Sequence, residues 1–330
     1  MSTNVCLVMI VKDEQPVIGR ALRSVAPVID EAVIVDTGSA DPNSMYRACA
    51  EALNLPLQFL SHAWVDFAHN RTGAVRAAQA RSQCDYLLMH DADDMLYTPP
   101  GQGFGPEFTG DRDLYTIDID YAGLRYARMA LFRRALEWRY VCPVHEVLLG
   151  PEGHTCGHIG AAVIIPEGDG ARSRDPVSKF QRDIRMLSQD YSLRGQYYLA
   201  QSYRDLFRVL PPEHTRQRLQ ALLHARNIYA ARACQGGWEE EVFSAKLEEA
   251  KCLEHLYWLQ GPRDDVGATR VLDAYFDARS LRATRAEPLW HAMRFARAVG
   301  HGQIADILEP TWASIPLPAD QLFVERHCYS

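Results

Sequence analysis

The sequence predicts an α/β domain over residues 1–165, a linker over 166–176 and an all-α domain over 177–330. Three observations carry that reading. Short unbroken apolar runs over residues 5–11, 32–35 and 86–89 alternate with helical spacing, as parallel strands covered on both faces do. Each of those runs ends in acidic residues. Beyond residue 176 the apolar positions recur at helical spacing only.

Taken in order, the run VCLVMIV is followed by Lys12, Asp13 and Glu14, then by Val17, Ile18, Leu22 and Val25 at helical intervals. The second run ends in Asp36, before Thr37-Gly38-Ser39. Ser39 or Asp41 is placed to cap a helix carrying Met45, Tyr46, Ala48 and Leu53. A short strand is expected over 57–60 and a helix over 70–81. The run YLLM then ends in His90, Asp91, Asp93 and Asp94. After it the order changes. Tyr115, Ile117, Ile119 and Tyr121 alternate, and residues 128–133 follow, which reads as antiparallel strands of a mixed sheet. Another strand is expected over 161–165. The polar stretch PEGDGARSRDP, residues 166–176, marks the domain boundary. Helices are expected around 197–206, 221–233, 242–256, 268–278 and 288–299. Small residues at packing positions with aromatics between them suggest tetratricopeptide-like stacking, although the period is irregular.

The acids after YLLM are the centre of the functional reading. Three carboxylates in four positions repel one another, and no core buries them unpaired. The carboxyl edge of an α/β sheet is where ligands bind. In extended geometry Asp91 and Asp93 point the same way. Hard oxygen ligands at that spacing suit Mg²⁺ or Mn²⁺ shared with phosphates. The competing reading is a solvated acidic turn. Acids at three strand ends argue against it.

Bulk composition narrows the class. The formal net charge of the 330 residues is −7, and residues 1–165 hold 13 Lys+Arg against 20 Asp+Glu, so the negative excess lies in the half with the acid cluster. That favours a metal-dependent site over a surface tracking nucleic-acid phosphates. The eight cysteines include no Cys-x-x-Cys, which argues against zinc-ribbon and thioredoxin-type chemistry and for free thiols in a reducing compartment. The N-terminal apolar run has no basic leader and is short for a signal core, and no stretch reaches membrane-span length. A soluble, cytoplasmic protein is the expectation.

These residues resemble the family 2 glycosyltransferases of the GT-A fold. CLVMIVKDE (6–14), DEAVIVDTGSAD (30–41), WVDFA (64–68) and the stretch ending in HDADD (85–94) are similar to the nucleotide-sugar half. Residues 128–134, Trp138 and Val144-His145-Glu146 look like the acceptor half. YLAQSY (198–203), GWEEE (237–241) and RAEPLW (285–290) match the subgroup with a tetratricopeptide-like tail. The resemblance covers nearly the whole chain and implies a GT-A-type, Rossmann-like mixed sheet followed by that tail. Two departures stand out. Asn70-Arg71 replaces the usual Arg-Asn, and Pro166 stands where many relatives carry a metal-binding His.

The resemblance implies a metal-dependent, inverting glycosyltransferase of the hexosyltransferase type, using Mn²⁺ or Mg²⁺ and a UDP-linked sugar. Asp93 is the leading metal ligand, with Asp91 beside it or on the ribose. His145 is the third ligand, with His158 as its alternative. Asp36 is expected on the uracil or ribose, and Lys12, Glu14 and Arg71 near the nucleotide. Glu146 is the general base that an inverting transfer needs, with Asp118 or Asp120 as substitutes. Asp94 is read as a helix cap or supporting acid, and Trp64 and Trp138 as core or stacking aromatics. The acceptor is a peptide, a saccharide or a modified nucleic acid, gripped by Tyr197, Tyr203, Arg204, Trp238 and Trp290 of the tail. Two other classes compete. One is a non-catalytic helical-repeat interaction protein with a degenerate transferase domain. The other is an Asp-x-Asp phosphotransferase, which is disfavoured because its acid would follow the first strand.

Overall fold

The computed structural model describes residues 3–121, 124–260, 263–319 and 322–329; the side chain of Ser173 is also left undescribed. The chain divides into two compact units, one up to Asp175 and one from Pro176 onward.

The first unit is the mixed sheet with helices that the sequence predicts. Its elements are β1 (Val5–Val11), α1 (Ile18–Val25), β2 (Glu31–Asp36), α2 (Pro42–Ala52), β3 (Leu57–Ser61), α3 (Phe67–Arg81), β4 (Tyr86–Met89), β5 (Asp94–Tyr97), β6 (Leu114–Tyr121), β7 (Leu124–Arg133), β8 (Arg139–Val141), β9 (Val147–Leu149) and β10 (Cys156–Pro166). Eight strands form one sheet in the order β3-β2-β1-β4-β7-β6-β10-β5, and β8 and β9 form a separate hairpin. The four strands from β3 to β4 are parallel. β7 runs antiparallel to both β4 and β6, β10 is parallel to β6, and β5 is antiparallel to β10. This is a Rossmann-like parallel half continued by a mixed half.

β1 shows why its apolar run is unbroken. Val5, Leu7, Met9 and Val11 enter the core under α1 and α2, while Cys6 and Val8 enter the core under α3. Both faces are dry, so alternation is absent. Several elements differ from the sequence expectation. α3 starts at Phe67 rather than at residue 70, because the Asp66 carboxylate accepts from the His69 N–H at 2.7 Å and caps it. β10 begins at Cys156. Its first half is hidden in sequence by Gly157 and Gly160, and Gly157 is required there. A Cβ on it would stand 2.8 Å from the Tyr115 ring. Asp94 caps no helix; it opens β5, paired with Pro166. Asp41, not Ser39, caps α2, accepting from the Ser44 N–H at 2.9 Å.

The second unit is helical: α4 (Pro176–Leu187), α5 (Leu193–Val209), α6 (Thr215–Ala233), α7 (Glu239–Gln260), α8 (Asp265–Leu281), α9 (Glu287–Ala298) and α10 (Gly302–Ala313). Each packs on the next in chain order, as stacked helical hairpins do. Lengths from 12 to 22 residues explain the irregular period. Among the described residues no helix is long and apolar enough to cross a membrane.

Candidate active site

β4 sets the position of the site. Its four residues are buried, so the chain turns only after Met89. His90 is also buried, with Nε2 3.1 Å from the Asp94 carbonyl oxygen. Burial, reinforced by Arg128, lowers its pKa to about 4, which keeps the ring neutral. The Asp94 N–H donates to the Asp91 carbonyl at 3.2 Å and closes a turn. Asp91 and Asp93 therefore sit in a turn rather than at alternate positions of the extended strand that the sequence predicts, and their carboxylates meet different partners.

Asp91 lies between two guanidiniums. Its Oδ1 accepts from Arg71 at 2.6 Å and its Oδ2 from Arg128 at 3.1 Å. Arg128 also donates to Asp94 Oδ2 at 3.0 Å, and Arg71 Nε stands 2.5 Å from Glu146 Oε1. The result is one chain of alternating charge, Glu146–Arg71–Asp91–Arg128–Asp94. Burial alone would raise the Asp91 pKa, but the two guanidiniums hold it well below the usual carboxylate range. Asp94 moves the other way: burial and the Asp91 charge push it up to about 7.

Arg128 is the site residue that sequence reasoning left without a role. Sheet register explains its place. β4 and β7 pair Tyr86 with Arg133, Leu87 with Phe132 and Leu88 with Leu131. Continued three residues, that register brings Arg128 opposite Asp91. A signal was available in the alternation of β7, where Leu124, Tyr126 and Arg128 share the more buried face while Arg125, Ala127 and Met129 are exposed. An inward-facing arginine requires an acid partner.

Asp93 pairs with no guanidinium among the described residues. It accepts one long bond, 3.3 Å, from the Gly170 N–H, and burial together with Asp91 raises its pKa. Gly170 is needed for that approach, because a Cβ would stand 2.7 Å from Asp93 Oδ2. The stretch expected as a linker therefore folds back on the acid edge. Ala171 N–H donates to both oxygens of Glu14 at 3.1 and 3.0 Å, and Arg20 makes a two-point pair with Asp169 at 2.9 and 2.7 Å. Burial raises the Glu14 pKa. The Arg172 guanidinium lies 4.3 Å from the Phe67 ring centre.

Asp36 is fully buried and accepts from the Gly38 and Ser39 N–H groups and from the Ser39 hydroxyl. Its bonds are those of its own turn. Asp13, at a left-handed φ of 57°, ties the ends of β1 and β2: its N–H donates to Ser39 Oγ at 2.9 Å and its Oδ1 accepts from Ala40 N–H at 2.7 Å. Lys12 is exposed beside it. His145 is exposed in the loop between β8 and β9, at φ 55°. His158 lies on β10 with Nδ1 3.0 Å from Thr116 Oγ1 and Nε2 3.7 Å from Asp118. Asp120 pairs with Arg125 at 3.0 Å. Among the described residues, Asp91, Asp93 and His145 do not converge as three ligand atoms; the grouping of that kind lies in the second unit.

Trp138 is a core residue, 2% exposed, donating to the Arg133 carbonyl at 2.8 Å. Trp64 is partly exposed and packs edge-on against Phe67. In the second unit two expected surface residues are interior. Tyr197 is buried with its hydroxyl 2.7 Å from Ser244 Oγ, and Arg204 pairs with Glu248 at 2.9 Å. Tyr203 stacks on His224, while Trp238 is exposed and Trp290 partly so. Trp238, Arg279, Arg282, Thr311 and Pro316 line a cleft of about 880 Å³ in that unit.

No protein-family model matches the chain. A TPR repeat-containing protein of Synechococcus elongatus is 31% identical over 150 residues, 44% of this chain and 35% of that protein. The chain thus spans about a third of that relative's length. Among solved structures, TarS 1–349 of S. aureus aligns over 94% of this chain and 91% of its own, at 13% identity and a TM-score of 0.35. GalNAc-T7 with UDP, GalNAc and Mn²⁺ aligns over 66% of this chain and 54% of its own, at 12% identity and a TM-score of 0.34.

Proposed function

We propose that the first unit is a glycosyltransferase of the family 2 type, using a nucleoside diphosphate sugar, with UDP as the expected nucleotide. The observation that carries this is the carboxyl edge of the parallel strands. β1, β2 and β4 deliver Glu14, Asp36 and Asp91–Asp93–Asp94 to one end of the sheet, and two buried-side arginines only partly balance them. An all-oxygen donor set of that kind fits Mg²⁺ or Mn²⁺. The raised pKa of Asp93, which has no guanidinium partner among the described residues, is consistent with a place held for a cation. Asp93 would hold the ion, with Asp91 in support. When bound, it supplies Lewis-acid stabilisation of the departing diphosphate.

The chain's own residues then divide the work. Arg71 and Arg128 fix the Asp91 carboxylate, and Arg71 also orients Glu146. Glu146 accepts the acceptor's proton as the acceptor bonds to the anomeric carbon and the bond to the nucleoside diphosphate breaks on the opposite face, a single displacement that inverts the anomeric centre. Lys12 stands at the rim for phosphate, and the folded-back 167–174 stretch walls the edge. Asp36 shapes the turn after β2, and its contact with the base or ribose is indirect, through that turn. The tail and its cleft hold the acceptor.

The test is donor hydrolysis and transfer, measured with Mn²⁺ or Mg²⁺ and with excess EDTA. Asp93→Ala is expected to lose both activities without unfolding. Glu146→Gln is expected to lose transfer while acceptor binding persists, since the base acts only in the transition state. Full turnover in EDTA would overturn the metal-dependent reading. One feature favours the non-catalytic alternative: both oxygens of Asp91 are already taken by arginines. In that case no nucleoside diphosphate binds at all.

A further inference from the structure

We propose that the second unit carries a structural zinc site made by His291, Glu325, His327 and Cys328. It is separate from the acid edge and independent of the glycosyltransferase reading. His291 comes from α9, and the other three come from residues 325–328, so the ligands join two parts of the unit 34 positions apart.

The four ligand atoms lie close enough together to surround one ion. One ligand atom from each residue lies within 4.8 Å of the other three. His291 Nε2 is 2.9 Å from Glu325 Oε2 and 3.9 Å from Cys328 Sγ; Glu325 Oε2 is 3.7 Å from His327 Nε2 and 3.8 Å from Cys328 Sγ. Zinc bonds of about 2.0–2.3 Å give tetrahedral edges of roughly 3.3–3.8 Å. Three of the four separations therefore need almost no adjustment. The fourth is a hydrogen bond that opens when the ion enters.

The surroundings hold those atoms in place. Lys251 takes the other oxygen, Glu325 Oε1, at 2.6 Å, which leaves Oε2 facing the histidines. The His291 ring stacks parallel to Tyr275, and its buried Nδ1 has no hydrogen-bond partner, so Nε2 is the nitrogen presented to the cluster. The Trp312 indole N–H donates to the Cys328 carbonyl at 2.7 Å. Glu287 accepts from the Glu325 N–H at 3.2 Å and from the Tyr329 hydroxyl at 2.8 Å. Arg285 donates to the Phe323 carbonyl at 3.0 Å. The buried Cys328 thiol faces both Glu325 Oε2 and His291 Nε2 at 3.8 and 3.9 Å, the long end of a weak sulfur hydrogen bond. One sulfur, two imidazole nitrogens and one carboxylate oxygen suit zinc in preference to Mg²⁺ or Ca²⁺. Four protein ligands fill the coordination shell, which marks the site as structural. Cys328 binds as the thiolate, its proton passing to solvent. The lack of any Cys-x-x-Cys excludes a zinc ribbon but leaves this mixed set untouched.

The experiment uses the full chain without an affinity tag, dialysed against metal-free buffer and assayed for bound metals. About one zinc per chain is expected. Replacement by Co²⁺ should give the visible bands of a tetrahedral ion and a near-ultraviolet sulfur-to-cobalt band. Cys328→Ser should remove the sulfur band. His327 is exposed, so His327→Gln should fold normally and bind zinc at least about tenfold more weakly. Zinc at the acid edge would be unaffected by either change. Equal zinc uptake by wild type and His327→Gln would overturn the proposal, as would no retained metal together with no rise in Tm on adding Zn²⁺. Stoichiometric copper in place of zinc would overturn the assignment of the ion.

Discussion

The two units use charge in opposite ways. In the second unit several buried charged groups are paired with one another in the interior. Arg232 and Glu241, 1% and 5% exposed, meet at 2.7 Å, and Arg232 also donates to the Gly236 carbonyl at 2.8 Å. Arg204, Glu248, Lys251 and Glu325 form a continuous interior chain. In the first unit the charges gather at the sheet edge, where Asp91 and Arg128 are still 27% and 28% exposed and, among the described residues, Asp93 makes no ion pair. A closed network holds helices together. An open one, with acid left over, is what a ligand completes.

That contrast can be broken by removing one partner from each network. Arg232→Met strands Glu241 in the interior, and we expect a loss of about 3–5 kcal/mol in stability, read from denaturant melts, with nucleotide binding unchanged. A loss below about 1 kcal/mol would mean that the pair is not as dry as its burial implies.

The next largest effect is acid sensitivity of the second unit. Burial alone would raise the Glu248 pKa, but Arg204 and Lys251 prevail and lower it from 4.5 to about 2. The folded state thus keeps this carboxylate ionised while the unfolded chain takes up a proton. Its contribution is fully present above pH 4.5 and is lost as the pH falls towards 2, by about 3 kcal/mol in all. Denaturant melts across that window should show the slope in wild type and a shallower one in Glu248→Gln. Equal slopes would exclude Glu248 as the source.

The smallest effect belongs to the open network. Arg128→Met should cost only about 1 kcal/mol, because Asp91 keeps contact with solvent and with Arg71, and the buried Asp94, its pKa already pushed up to about 7, takes up a proton in place of the arginine. Donor hydrolysis should nevertheless fall, since Asp91 loses one of the two groups that fix it. A cost equal to that of Arg232→Met would erase the distinction between the networks.

Much of this was legible in the sequence, and what was not has physical causes. The runs 5–11, 32–35 and 86–89 announced β1, β2 and β4 because strands buried on both faces need continuous apolar residues. The acids at their ends announced the edge. β5 was hidden because Asp-Met-Leu-Tyr becomes a strand only when β10 offers it an edge, which is a tertiary event. The opening of β10 was masked by glycines that the Tyr115 ring demands. Arg128 became meaningful only through strand register. Tyr197 and Arg204 read as surface groups because composition cannot reveal that Ser244 and Glu248 wait for them inside the helical unit. The return of residues 167–174 to the acid edge is likewise invisible in a polar Gly- and Pro-rich stretch.

The central claim is that the acid edge takes a nucleoside diphosphate with a divalent cation through Asp93. Thermal unfolding of the full chain with UDP, with and without Mn²⁺, tests it most directly, because a ligand that binds only the folded state raises the Tm by mass action. We expect a rise with UDP and Mn²⁺ together, abolished by EDTA and by Asp93→Asn. The claim is contradicted if no nucleoside diphosphate shifts the wild-type transition, or if Asp93→Asn shifts by as much as wild type.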